Sequence, residues 1–426
     1  MESQVIEASY PLSFRTKDAF ELGKHLKNRH SVVLVGMKRV GISNFLRFFL
    51  NHPEIGKKYI NDDKTHLFIP VDLNDLVERE LFPFWVLTLK RIEDAVGKSQ
   101  LPDKTKKYVE TLFLDSIQSQ DLFLTIESVR KSLSYLVEQN IVPSVFFLRF
   151  DRIKDVVTSE FFANLQGLID AAHQNLSYVF TSVRSLESLS PNVFTRASVS
   201  VFARTLYIAP SLPKDSEMIF KKNVEKYKMS FTPAFEKKLL SLVDGYNQYL
   251  QFALTFLHEK GKKVETEKLF DELLKDERIM LQSEELWESL TVEEQEVLKK
   301  FAGEKKVTFE DKVRGEYLFN TGIVNSNDEL FSPLFESFLQ TLETKKTTQV
   351  VELSKKENKL LKLLEENRGA LCERENIIQG VWPEVESFGV SDWAVDRLVA
   401  RLRNKLKMLN NTDEIVTVKT RGYKLI

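Results

Sequence analysis

The chain has 426 residues, with 61 basic against 62 acidic side chains and a net charge of −1. That length suggests about three domains, and the balanced charge means any nucleic-acid surface must be local. The one cysteine, Cys372, excludes an internal disulfide and fits a reducing compartment. Apolar runs such as 32–35 and 145–148 fall far short of the ~20 residues a spanning helix needs. The opening MESQVIEASY lacks a basic-then-apolar signal pattern, so a soluble, cytoplasmic protein with no membrane partner is expected.

Residues 18–28 carry apolar side chains at helical spacing and lead into SVVLVGMKRVGISNFLRFFL at 31–50. That stretch reads as a buried strand, a glycine-bracketed turn and a helix starting near Ser43, the layout of a phosphate-binding loop with the signature G-x-x-x-x-G-K-[ST]. Gly36 and Gly41 have the required spacing and Ser43, followed by Asn44, fills the hydroxyl position, but Ile42 stands where the lysine belongs. A charge-assisted contact to phosphate contributes roughly 1.5–3 kcal/mol, so its loss weakens nucleotide binding at least about tenfold. Lys38 and Arg39 either substitute for that ammonium or tie the loop to neighbouring carboxylates.

Further strands are expected at 66–72, 144–150 (ending at Asp151), 176–182 and 204–208, with helices at 82–96, 120–139 and 159–175. This alternation predicts a parallel sheet covered on both faces, with ligands at the carboxyl ends of its strands. From 210 to about 280 the pattern is helical (214–228, 233–243, 248–260), with Gly245 as a break. Capping boxes at Thr291-x-x-Glu294 and Ser354-x-x-Glu357 open helices in the next two units, on either side of a basic, threonine-rich strip at 344–348. The last unit predicts helices at 355–367, 373–381 and 392–408, then a hairpin IVTVKTRGYKLI with Gly422 at its turn. Domains are thus expected at 1–210, 211–285, 286–345 and 350–426.

The run Leu148-Arg149-Phe150-Asp151-Arg152 and the loop GMKRVGISNFLRF resemble the AAA+ and STAND-class P-loop ATPases, whose third strand ends Asp-Glu-Phe-Asp before a basic residue. In one register Leu148 replaces the magnesium aspartate and Arg149 the water-activating glutamate; in the other, Asp151 is the metal ligand and Arg152 replaces the glutamate. Either way the hydrolytic carboxylate is missing. The resemblance implies ATP or ADP as a weak or vestigial cofactor, with magnesium only alongside nucleotide. It implies Arg184, beside Ser182, as a γ-phosphate sensor, and Gly245-Tyr-Asn-Gln as the opening of a lid helix, with Asn247 where the family has proline. The 286–342 stretch resembles the winged helix that follows the lid in STAND proteins. Six scattered histidines give no zinc pattern, no G-x-S-x-G elbow occurs, and Cys372 reads as a helix-cap position rather than a nucleophile.

Val381-Trp382, Val395-Asp396, Leu402-Arg403-Asn404-Lys405-Leu406 and Thr417-Val418-Lys419-Thr420-Arg421-Gly422-Tyr423 resemble the OmpR/PhoB-type winged helix-turn-helix output domain over its whole length. At ~100° per residue Val395, Val399, Leu402 and Leu406 share the core face. Trp393, Arg397, Ala400, Arg401 and Asn404 then lie opposite, flanked by Arg403 and Lys405. Such a helix suits a major groove, and Lys419 and Arg421 on the wing suit the minor groove or backbone. With 14 basic and 12 acidic residues in 350–426, a solvated face on a protein-binding winged helix is the alternative. The resemblance also implies RNA polymerase as a partner of loop 383–390, which holds Glu384 and Glu386.

The expected fold class is a multidomain α/β plus α chain: a P-loop α/β sandwich with parallel sheet, helical lid, winged helix and C-terminal OmpR/PhoB-type winged helix-turn-helix. The function expected is a regulator binding double-stranded DNA through that last unit, masked or exposed by a hydrolysis-deficient nucleotide domain. The rivals are a working ATPase that uses Lys38 or Arg39, and a self-associating scaffold or origin-type remodelling protein.

Overall fold

The computed structural model describes residues 5–260, 264–303, 307–345, 353–382, 392–409, 413–418 and 421–426. Its centre is a five-stranded sheet of β1 (Ser31–Val35), β2 (Thr65–Asp72), β3 (Ile141–Leu148), β4 (Ser177–Ser182) and β5 (Ala203–Tyr207). The order is β2-β3-β4-β1-β5 and every pairing is parallel. β1 is buried along its whole length. Its side chains alternate between two cores, Val32 and Leu34 facing one and Val33 and Val35 the other, as expected of a central strand covered on both faces. Pro70 lies in the edge strand β2, and Pro143 precedes Ser144, where β3 begins to pair with β4; both avoid the fully paired interior.

Three helices, Leu81–Lys98, Asp103–Ser119 and Leu122–Glu138, fill the β2–β3 crossover. The middle one was not anticipated. β3 stops at Leu148, two residues earlier than expected. Arg149 turns into the left-handed region (φ 60°), its amide donates to Thr181 Oγ1 at 2.7 Å, and Phe150–Val156 continues as 3-10 helix.

Helices Pro213–Lys226, Pro233–Val243, Asn247–Lys260 and Glu277–Glu288 follow the sheet and share the core that Val32 and Leu34 enter. At Gly245 (φ +73°) an added Cβ would lie 2.1 Å from the Ser211 carbonyl oxygen, so the close approach of the segment after β5 requires glycine there. Helix Glu277–Glu288 runs unbroken through the boundary expected at 285–286. Both predicted capping boxes are formed, Thr291 with Glu294 and Ser354 with Glu357. Between Val292–Ala302 and Pro333–Lys345, among the described residues, an isolated antiparallel bridge joins Val324 and Leu330.

The C-terminal winged helix has its own core, built from Leu360, Leu364, Ile377, Val381, Trp382, Leu398 and their neighbours. Its sheet has three strands, β6 (Cys372–Glu373), β7 (Ile415–Val418) and β8 (Gly422–Leu425), in the order β6-β8-β7. Cys372 is therefore a buried strand residue and not a helix cap. Gly422 is the first residue of β8 rather than the tip of the turn; a Cβ there would meet the Cys372 carbonyl oxygen at 2.0 Å. Among the described residues no helix is long and apolar enough to cross a membrane.

Candidate functional site

The loop after β1 closes tightly because Met37 and Val40 are buried and Gly36 has no side chain; a Cβ on Gly36 would sit 2.8 Å from the Ile208 carbonyl oxygen. Gly41, at φ +115°, turns the chain into the helix Ile42–Asn51. Gly36, Lys38, Arg39, Gly41, Ser43, Asn44 and Asp151 all line one cavity of about 620 Å³, together with Arg149, Arg152, Asn247 and Glu285. Arg184 does not line it.

Within this cavity Lys38, Arg39 and Arg149 are already paired with carboxylates, while Arg152 Nε is buried without a partner. Lys38 and Arg39 face Glu285 at 3.6 and 3.1 Å, so of the two sequence readings the structure displays the tie to a carboxylate. Asn44 is held on both sides: its Nδ2 donates to Glu7 at 3.1 Å and its Oδ1 accepts from Asn247 Nδ2 at 2.9 Å. Asn247 Oδ1 is buried with no partner. Burial pushes the Asp151 carboxyl above the usual range, against the opposing pull of its own amide and of Lys38, Arg152 and Arg149. Arg149 bends across to pair with Asp72 at the end of β2, where both line a small space of about 170 Å³ beside Ser43. Sequence reading missed this pair, although Asp72 ends the strand next to β3.

These residues fit a phosphate-bearing anion: backbone amides at a helix N-terminus, a serine at the cavity wall and several cations. Beside the loop serine Leu148 ends β3 and Asp72 already holds a guanidinium, so Asp151 is the carboxylate of this cavity that would hold a magnesium ion alongside nucleotide.

Arg184, implied as a sensor, is turned to a carboxylate outside the loop cavity. Its Nη1 and Nη2 donate to the two carboxylate oxygens of Glu294 at 2.6 and 2.8 Å, and Nη2 also donates to the Ser289 carbonyl at 2.6 Å. The guanidinium lies 3.8 Å from the centre of the Tyr317 ring. The capping-box glutamate of a helix 110 residues away thus draws it from the loop and ties the sheet to helix Val292–Ala302.

The C-terminal helix Asp392–Met408 buries Val395, Val399, Leu402 and Leu406, as the periodicity requires. On the opposite face Arg397 and Arg401 are covered. Arg397 Nη1 donates to Glu288 at 2.7 Å, and Arg401 Nε lies 3.4 Å from Glu284 and 3.1 Å from Glu357. Both side chains are only 11% and 13% exposed, because Glu277–Glu288 packs across them. Arg397 Nε and Nη2 are buried without an acceptor. Lys405 donates to Glu357 at 2.6 Å. Burial raises the Glu357 pKa, but hydrogen bonds from Lys405 and the Ser354 amide, with the charges of Arg401 and Lys405, outweigh it and hold the carboxyl below its ordinary value.

Arg403 points to its own wing, Nε donating to the Ile415 carbonyl at 2.7 Å and Nη2 to Thr417 Oγ1 at 2.9 Å. It braces β7 from the helix. Asn404 is exposed, and Arg421 is 64% exposed with Glu373 at 3.5 Å. The Trp393 side chain, Lys419 and the expected polymerase loop 383–390 lie outside the described residues.

Residues 348–425 match the family described as transcriptional regulatory protein, C terminal. Over 88 residues the chain is 33% identical to the transcriptional regulatory protein YxdJ of Bacillus subtilis, covering 21% of this chain and 38% of that protein. Over 76 residues it is 42% identical to the response regulator ArlR of Staphylococcus epidermidis, covering 17% and 32%. In each case the match spans well under half the relative's length. Among solved structures, the Walker-type ATPase PABY2304 of Pyrococcus abyssi aligns with TM-score 0.47 and 17% identity over 79% of this chain and 99% of that one. The Aeropyrum pernix ORC1 protein, solved in complex with DNA, aligns with TM-score 0.43 and 13% identity over 99% and 91%. Likeness at that level carries nothing about ligand or activity. The P-loop ATPase type of fold rests on the glycine-bracketed loop and the strand order. The C-terminal segment is a transcription-regulator DNA-binding domain of the OmpR/PhoB type.

Proposed function

We propose that the chain is a DNA-binding transcriptional regulator whose C-terminal winged helix is governed by a hydrolysis-deficient, nucleotide-type domain. Its working units are a sheet domain, a helical lid, a central winged helix and the C-terminal winged helix, dividing near 210, 288 and 350. One observation carries this reading. The helix Asp392–Met408, in a segment of the regulator type, turns Arg397 and Arg401 away from its own core and onto a helix that also touches the loop cavity. Ile42 in the lysine position and the Asp72–Arg149 pair beside Ser43 both speak against efficient hydrolysis. Selection of bound sequences from a random duplex pool with the full chain tests the reading. A recurrent motif is expected; an unenriched pool would overturn it.

A further inference from the structure

The helix Glu277–Glu288 carries acids on two sides. Glu277, Glu284 and Glu288 recur at intervals of seven and four, so they form one row along the helix. That row meets the C-terminal domain through Lys356, Arg401 and Arg397 respectively. Glu285, one residue and about 100° further round, faces the loop cations Lys38 and Arg39. The same helix is tied to the loop once more: Gln282 Nε2 donates to the Tyr246 hydroxyl at 3.0 Å, which donates to the Lys38 carbonyl at 2.6 Å. A single helix therefore covers Arg397 and Arg401 with one face and meets the loop cations with the next.

The face toward the C-terminal domain is not fully satisfied. Arg397 commits one N–H to Glu288 while Nε and Nη2 have no acceptor, an arrangement that DNA phosphate or base oxygens would complete. On the other face Glu285 is 13% exposed, and its charge is balanced by the two loop cations. If an anion drew them away, a largely buried carboxylate would be left uncompensated. The cavity they line offers such an anion further cations in Arg149 and Arg152, with Arg149 fixed by Asp72 beside Ser43.

Resting on the DNA-binding reading above, we propose that Glu277–Glu288 is a two-faced latch. An oligophosphate anion bound in the loop cavity withdraws Lys38 and Arg39 from Glu285 and thereby releases Arg397 and Arg401 from Glu288 and Glu284. Coupling of this kind is reciprocal: duplex DNA tightens anion binding by the same factor.

The test uses the full chain, a labelled duplex followed by fluorescence anisotropy, and ATP in EDTA as the anion, with tripolyphosphate separating phosphate from nucleoside chemistry. Backbone hydrogen exchange of the two helices reads the latch without DNA. The isosteric variant E284Q/E288Q should bind duplex at least about tenfold more tightly than wild type with no anion present, the effect of removing two ion pairs. ATP in EDTA should raise wild-type duplex affinity severalfold and speed exchange in 277–288 and 392–408, and K38A/R39A should abolish both responses. Unchanged exchange and affinity in E284Q/E288Q would overturn the latch. A response that requires magnesium, or one that survives K38A/R39A, would overturn the anion trigger. Faster exchange with no duplex bound by any form would leave the latch standing and remove the DNA-binding reading instead.

Discussion

Arg184→Ala separates a tether from a phosphate sensor. The Arg184 side chain is 17% exposed and that of Glu294 6%, joined by two hydrogen bonds, with a third to the Ser289 carbonyl. Removing one partner of a buried pair costs about 3–5 kcal/mol. The residual exposure of Arg184 points to the lower end, and loss of the Tyr317 stacking adds about 1 kcal/mol. A loss of about 3–4 kcal/mol is therefore expected. Glu294→Gln weakens the same pair and the capping box at Thr291. The double variant should then be less than additive, with a coupling energy of about 2–3 kcal/mol. Urea unfolding followed by circular dichroism measures this; since a chain of several units need not unfold in one step, the coupling is read from the transition that all variants share. Wild-type stability in Arg184→Ala together with weakened ATP binding would refute the tether and restore the sensor.

Ile42→Lys should raise ATP affinity about tenfold by calorimetry, since the loop keeps its backbone shape; no gain would mean that the cavity does not admit phosphate. Arg403→Ala should cost the C-terminal unit about 1–2 kcal/mol through its two lost bonds to β7. It should weaken duplex binding without changing sequence preference; a changed preference on selection would make it a base reader instead. Burial raises the pKa of Asp62, but hydrogen bonds from His66 and Arg29 and the Lys64 amide outweigh it and hold the carboxyl far below its ordinary value. A depressed carboxylate adds stability that is whole above its unfolded pKa of about 3.9 and is lost as pH falls from there towards its folded value. Asp62→Asn should flatten that acid limb of a stability-against-pH curve, and an unaltered limb would contradict the assignment.

The sheet was legible because its signals are local. Glycine spacing fixed the loop, and runs such as SVVLV and LSYVFTS have the length and composition of buried parallel strands. The core face of Asp392–Met408 followed from periodicity alone. What sequence could not supply was the partner of each surface cation. Arg184 finds Glu294, Arg397 finds Glu288 and Arg401 finds Glu284 across more than 100 positions, and nothing in local spacing marks those pairs. The helix ERIMLQSEELWE escaped notice because its acids belong to two faces and its apolar residues are interrupted by them. Asp72 looked like a strand terminus, and only the parallel register that pairs it with Leu148 brings it to Arg149.

Duplex affinity across a salt series, measured for wild type and for E284Q/E288Q, most directly tests whether the C-terminal helix is a DNA-binding element. Each phosphate contact contributes about −0.9 to the slope of log affinity against log salt, so three or more contacts give about −3 or steeper. That slope, with tighter binding in the variant, is the expected result. A flat line, or no duplex binding by either chain at about 50 mM salt, would contradict it.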